Sequence, residues 1–251
     1  MSVLFGKPKP IKPSRILWAG LGILLAYACM RLMIYRATEN FSWFATDFFM
    51  NIPRLIGLVF AMVALDLYWE DREAVAFWAK GRLAFHIGGA GVLIGLSYGL
   101  CRTETFAYHA FALFILFCSS FIVGLFEEML FRGVILDSLM GMCPRSLAVL
   151  ISAFLFMIFH IQAQPLSYFP VLFLHGIVFG TLRSEGVGMG WLVLLHAMFD
   201  CLVFFGGYGG YTYAWIFPLL LSLHTVFAFG YFQAVFSLSW RNLRSANSLA
   251  G

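Results

Sequence analysis

Glu127, Glu128, Arg132, His160, His196 and Asp200 are titratable side chains set within runs of apolar residues, and that setting is what suggests chemistry. A charged group at the centre of a membrane helix costs on the order of 2.5 to 3.5 kcal/mol on insertion scales, so each one asks for a partner or a purpose. In Phe126-Glu127-Glu128-Met129-Leu130-Phe131-Arg132, Glu128 stands four residues before Arg132. That is the favourable order for an ion pair along one helix face, and such a pair can be purely structural. Glu127 lies about 100 degrees further round the helix. Its own i+4 residue is Phe131, so its sequence neighbours supply no cation. A buried carboxylate left in this way suits a group that takes and returns protons near neutrality. His196 and Asp200 are also four apart, on a face where the carboxylate can hold one ring nitrogen and fix the tautomer of the other.

Helices must position these groups, because 62% apolar residues, 11% charged residues and a mean hydropathy of +0.89 leave too little polar surface for a water-soluble globule. The expected fold class is all-α, a polytopic transmembrane helical bundle of about eight helices. Apolar runs place them near 16 to 35, 52 to 69, 83 to 101, 106 to 140, 146 to 163, 168 to 183, 189 to 205 and 212 to 237. Residues 1–15 form a basic segment, 16–237 a single transmembrane domain and 238–251 a tail. With the N-terminus inside, eleven of the sixteen Lys and Arg fall on that side, while Arg31, Arg36, Arg54 and Arg102 are assigned to the other. The positive-inside rule then puts both termini in the cytoplasm, and the small size of the chain with Asp at position 200 makes the inner cell membrane of a bacterium the expected location. Ala26-Tyr27-Ala28 before Cys29 has the outline of a leader cleavage site, but the apolar run continues past it. The five cysteines have no CxxC spacing and read as packing thiols. A net charge of +4 carried mainly at helix ends is membrane topology, and no nucleic-acid partner is implied. If the fourth and fifth spans turn around Gly141 to Arg145, Glu127 and His160 are each about 16 or 17 residues from the turn and lie at similar height.

Taken together, Glu127-Glu128-x-x-x-Arg132, Phe156-x-x-x-His160 and His196-x-x-x-Asp200 resemble the three ordered motifs of the CPBP intramembrane endopeptidases. That family includes the Ras-converting CAAX endopeptidase and the bacterial Abi proteins. The resemblance covers roughly residues 83 to 205. It implies a glutamic intramembrane endopeptidase in which Glu127 and His160 activate a water, while His196 and the residue at 200 stabilise the oxyanion. Glu128 and Arg132 support them. The CAAX enzymes have Asn at the position of Asp200, and an ionised Asp cannot donate a hydrogen bond. Asp200 is therefore expected to orient His196, which is left as the oxyanion donor. The expected partners are a membrane-anchored protein or peptide substrate and the lipid bilayer, with a cavity opening toward the cytoplasm.

No cofactor is expected. Glu127, His160, His196 and Asp200 could instead supply a zinc-type set for a divalent metal, although the HExxH spacing of helical zinc proteases is absent. Two further readings compete: a non-catalytic immunity or adaptor protein on the same scaffold, and a transporter or proton relay, against which stands the lack of an inverted repeat. His86, His109, His175 and His224 read as hydrogen-bonded or interfacial. Asp66 and Asp137 read as groups reaching the membrane interface. Gln162 and Gln164 before Pro165 could line a cavity mouth.

Overall fold

A computed structural model of the chain describes residues 12–69, 83–101, 110–161, 164–205 and 213–248. Every element among them is helical: α1 (Pro13–Ala37), α2 (Trp43–Trp69), α3 (Leu83–Leu100), α4 (Ala110–Glu128), a π-helical segment (Met129–Leu136), α5 (Asp137–Met140), α6 (Arg145–Phe159), a 3-10 turn (Leu166–Tyr168), α7 (Phe169–Ser184), α8 (Met189–Phe205) and α9 (Ile216–Ser248). Since α4, the π segment and α5 run on without a break, they make one rod, and eight rods result. Five helices are long and apolar enough to cross a membrane by length and composition, and α3, α6 and α8 contribute shorter apolar helices. The all-α polytopic bundle is therefore as expected. Helices are the form such segments must take, since hydrocarbon offers backbone N–H and C=O groups no outside partner. Expectations for Lys7, Lys9, the 70–82 connection, Arg102, His109, Gln162 and the glycine loop at 206–210 concern residues outside those described, as do the side chains of Asp66, His86, Arg241 and Arg244.

Two boundaries differ from the sequence reading in ways that matter. α2 begins at Trp43, not near 52, so Pro53 sits inside the helix and not in its first turn. The added turns carry Asp47 and Asn51. α6 ends at Phe159, not 163, and His160 caps it. At the other end of the chain, α9 runs on to Ser248, past the expected end near 237.

The bundle is sorted inside out relative to a soluble protein. Trp18, Phe60, Phe111 and Val226 project outward, whereas Glu127, Glu128, Arg132, Asp137, Arg183 and His196 are buried. α1 lies antiparallel along the rod. Gly141 packs beside Pro13, Gly20 beside Val134 and Ile135, and the Tyr27 ring lies 4.8 Å from that of Phe126. α6 and α7 pack closely because position 176 is glycine: a methyl there would sit 2.7 Å from the Ala153 Cα. α7 ends in a Schellman motif, with Gly186 at φ +85° and hydrogen bonds from Val187 N–H to Leu182 O (3.1 Å) and from Gly186 N–H to Arg183 O (3.0 Å). That turn returns the chain into α8, which packs on α4 and carries the second histidine motif.

Candidate active site

Glu127 stands on the last regular turn of α4, directly before the π segment. Such segments recur at functional sites because the widened turn re-aims side chains and alters backbone pairing. Here the Phe131 carbonyl within it accepts a hydrogen bond from the Ser152 hydroxyl of α6 at 3.1 Å. The π segment is thereby tied to the helix that delivers His160.

His160 follows the final turn of α6 at φ −88°, ψ 0°, its N–H donating to Met157 O at 3.1 Å. Its Nδ1 lies 2.8 Å from the Phe156 carbonyl oxygen. A carbonyl only accepts, so Nδ1 carries a proton and the neutral ring presents a bare Nε2. That Nε2 faces Glu127 Oε2 at 3.6 Å. Glu127 and His160 thus stand level across the turn, as the equal spacing from residues 141–145 predicts, and the long gap is that of two groups able to share a third between them.

His196 comes from α8 and is met by three carboxylates. Its Nδ1 lies 2.7 Å from Glu128 Oε1, and its Nε2 lies 3.7 Å from both Glu127 Oε2 and Asp200 Oδ2. Here the sequence reading needs correction, because it gave the ring-holding role to Asp200 and left Glu128 to Arg132 alone. Asp200 sits one turn along the same helix and approaches the Nε2 side. Glu128 crosses from α4 and takes Nδ1. The expected Glu128–Arg132 pair is also present, with Oε2 3.3 Å from Nε, at an angle that does not make a hydrogen bond. The Arg132 guanidinium finds further support on aromatic faces, 4.5 Å from the Phe156 ring centroid and 5.5 Å from that of Phe179. Glu127 and Glu128, neighbours in sequence, therefore have opposite environments. Glu128 holds His196 by a hydrogen bond through Oε1 and lies beside the Arg132 guanidinium through Oε2, while Glu127 Oε2 has only the two ring nitrogens at 3.6 and 3.7 Å and no fixed cation.

A cavity of about 140 Å³ joins Glu127, His160, His196 and Asp200 to residues that the sequence reading left outside the site: Tyr27, Arg31, Asp47, Arg54 and His175. Asp47 pairs with Arg54 (2.9 Å) and accepts from the Ser119 hydroxyl (2.7 Å), and Arg54 also donates to Asn51 Oδ1 (3.0 Å). His175 stacks on Phe179 with ring centroids 4.2 Å apart and lies 5.2 Å from His196. The readable signal for Arg31 and Arg54 was an arginine inside an apolar helix, the same signal that drew attention to Glu127. Both had been assigned to the outer membrane face. Among the described residues, no group of three or more His, Cys, Asp and Glu is arranged to hold a metal ion.

The cavity has a direction. Pro13, Gly141 and the buried Asp137–Arg183 pair lie at one end of the bundle. α1, the rod, α6 and α7 all meet there. Tyr35, Asp47, Gln164 and Tyr168, half-buried, line the mouth at the opposite end. The cavity thus lies toward the end of α1 away from the N-terminus, so a cytoplasmic N-terminus would set it toward the other side of the membrane. Asp137, expected to reach the interface, instead pairs internally with Arg183.

Residues 109–202 match the family model described as type II CAAX prenyl endopeptidase Rce1-like. The matched stretch contains all three motifs and agrees with the resemblance drawn from them. No curated protein and no solved structure matches the chain. The long apolar helices mark an integral membrane protein, and its residues 109–202 are similar to the CAAX-type endopeptidases.

Proposed function

We propose that this chain is a glutamic intramembrane endopeptidase that hydrolyses a peptide bond in a membrane-anchored protein or peptide. The observation that carries this reading is the convergence of His160 Nε2 and His196 Nε2 on Glu127 Oε2, at 3.6 and 3.7 Å, at the buried end of a cavity. A water held between Glu127 and His160 gives one proton to the Glu127 carboxylate as its oxygen adds to the scissile carbonyl carbon. The developing oxyanion is met by the Nε2–H of His196. With its Nδ1–H donated to Glu128, His196 must carry both protons to do this, and Glu128 and Asp200 balance its charge. Collapse of the tetrahedral intermediate breaks the C–N bond, and the proton on Glu127 passes to the leaving amine. Asp200 thus acts electrostatically on His196, while Glu128 orients it.

The chemistry proposed is metal-free, so a chelator should leave the rate unchanged. We assign residues 16–237 to one transmembrane domain in a bacterial cell membrane with both termini cytoplasmic. The charge bias supports this orientation more strongly once Arg31 and Arg54 are counted as cavity residues and not as outer-face charges. In that orientation the mouth opens on the non-cytoplasmic side, and the substrate bond lies at or near that face of the bilayer.

The test compares membrane-protein termini by mass spectrometry in cells carrying wild type, Glu127→Gln and His160→Ala. A terminus present only with wild type identifies the cleaved bond. Identical termini in all three overturn the proposal and leave a non-catalytic scaffold as the reading to pursue.

A further inference from the structure

Arg31 lies outside the stretch that matches the family model, on the wall of the cavity facing the catalytic groups. It stands one turn beyond Tyr27 on α1, only 6% exposed. Among the described residues its hydrogen bond is from Nη2 to the Tyr35 hydroxyl at 3.4 Å, its guanidinium carbon lies 5.4 Å from that ring's centroid, and its Nε meets no partner. Among the described residues, none of the ion pairs involves it. Arg54, on the same cavity, makes the contrast: its charge is met by Asp47 at 2.9 Å. A guanidinium presents five donors in a fixed fork, and burying it without a counter-charge is costly. The cavity therefore holds a cation that no carboxylate among the described residues meets at ion-pair distance, within electrostatic reach of His160. An occupant that brings a carboxylate satisfies the fork, and bidentate geometry then fixes that occupant's position relative to Glu127.

We propose that Arg31 is a specificity-determining residue that receives a carboxylate of the peptide substrate, either an acidic side chain near the scissile bond or the chain's free C-terminus. The catalytic part of this proposal rests on the protease reading, but the binding part does not. The probes are synthetic apolar peptides carrying one Asp or its Asn counterpart, each with a free or an amidated C-terminus. Their binding is measured by fluorescence anisotropy on Glu127→Gln protein in lipid nanodiscs, so that no cleavage is needed. We expect an acidic peptide to bind about tenfold tighter than its uncharged partner, the size of one charge-assisted hydrogen bond. The pair in which the preference appears, Asp against Asn or free against amidated terminus, identifies the source of the carboxylate. Adding Arg31→Gln should bring the ratio close to one, while Arg31→Lys, which keeps the charge but not the fork, should leave an intermediate ratio. If Arg31→Gln does not fold, the Arg31→Lys ratio carries the test. A preference unchanged by either variant, equal binding of charged and uncharged peptides, or no binding of any of them overturns the proposal. A preference that depends on Arg31, in a wild-type protein that cleaves none of the peptides or membrane proteins, would sink the protease reading and leave the anion site standing.

Discussion

At the closed end of the bundle, Arg183 donates to Asp137 from Nη2 at 2.6 Å and from Nε at 3.3 Å, a two-point contact with both partners buried. At the open end, Asp47 and Arg54 make a comparable pair, but they line a cavity, and Arg31 on the same cavity has no carboxylate partner among the described residues. The same residue types thus do different work. Where the charges are balanced and packed, they fix how the rod meets α7. Where one is left over, the fold holds a polar space that something else must complete. Glu127 and Glu128 repeat this contrast at a scale of one residue, for Glu128 lies between His196 and the permanent cation of Arg132 while Glu127 lines the cavity and meets only the two imidazoles.

The largest expected effect separates those two glutamates. Glu127→Gln should lower cleavage by about 10²- to 10⁴-fold, the usual contribution of a positioned general base, with no loss of thermal stability in detergent. Glu128→Gln should lower both, because it leaves the Arg132 guanidinium buried without its counter-charge, a change that costs about 3–5 kcal/mol when a buried pair is broken. Equal melting temperatures for the two variants would show that the contrast between them is not energetic. Next comes the comparison of the ends. Asp137→Ala should destabilise by a similar amount, about 3–5 kcal/mol. Asp47→Ala should cost clearly less, since water can reach the cavity and solvate Arg54. Denaturant titration of both variants in the same detergent checks the order, and an Asp47 variant as unstable as the Asp137 one would remove the distinction between a packed end and an open one.

Much of this was legible in the sequence, and the reasons are specific. Composition forced helices, and uninterrupted apolar runs located the eight rods. Counting residues from the turn at Gly141 placed Glu127 level with His160, because rise per residue is nearly constant in a helix. Three things were hidden. The π segment cannot be read from residue type, and it begins just where the acidic motif lies. The second span, placed near 52 to 69, leaves out the turns that carry Asp47 and Asn51, and this concealed one wall of the cavity. The partner of His196 was assigned within its own helix, because i, i+4 spacing is visible in sequence while the approach of Glu128 across a helix interface is not.

Smaller effects test how the two ends are joined. Gly176→Val places a branched side chain where a single methyl would already sit 2.7 Å from the Ala153 Cα, so α6 and α7 must separate, at about 1–3 kcal/mol. Since α6 ends at His160, the shift should also lower cleavage, and a variant that loses stability with full activity would show that the α6–α7 contact does not position the histidine. The smallest change is Ser152→Ala. It removes the hydroxyl that donates to Phe131 O at 3.1 Å and leaves a buried π-segment carbonyl with one partner fewer, at about 1 kcal/mol. Its informative readout is the ratio of activity lost to stability lost. If the Ser152 bond matters because it holds the π segment at the height where Glu127 meets His160, Ser152→Ala should lower kcat more than its stability cost explains, and Ser152→Thr, which keeps a hydroxyl, should restore it. If kcat simply tracks the folded fraction in both variants, the bond contributes to packing alone, and the positioning of Glu127 must come from the α4–α8 contact.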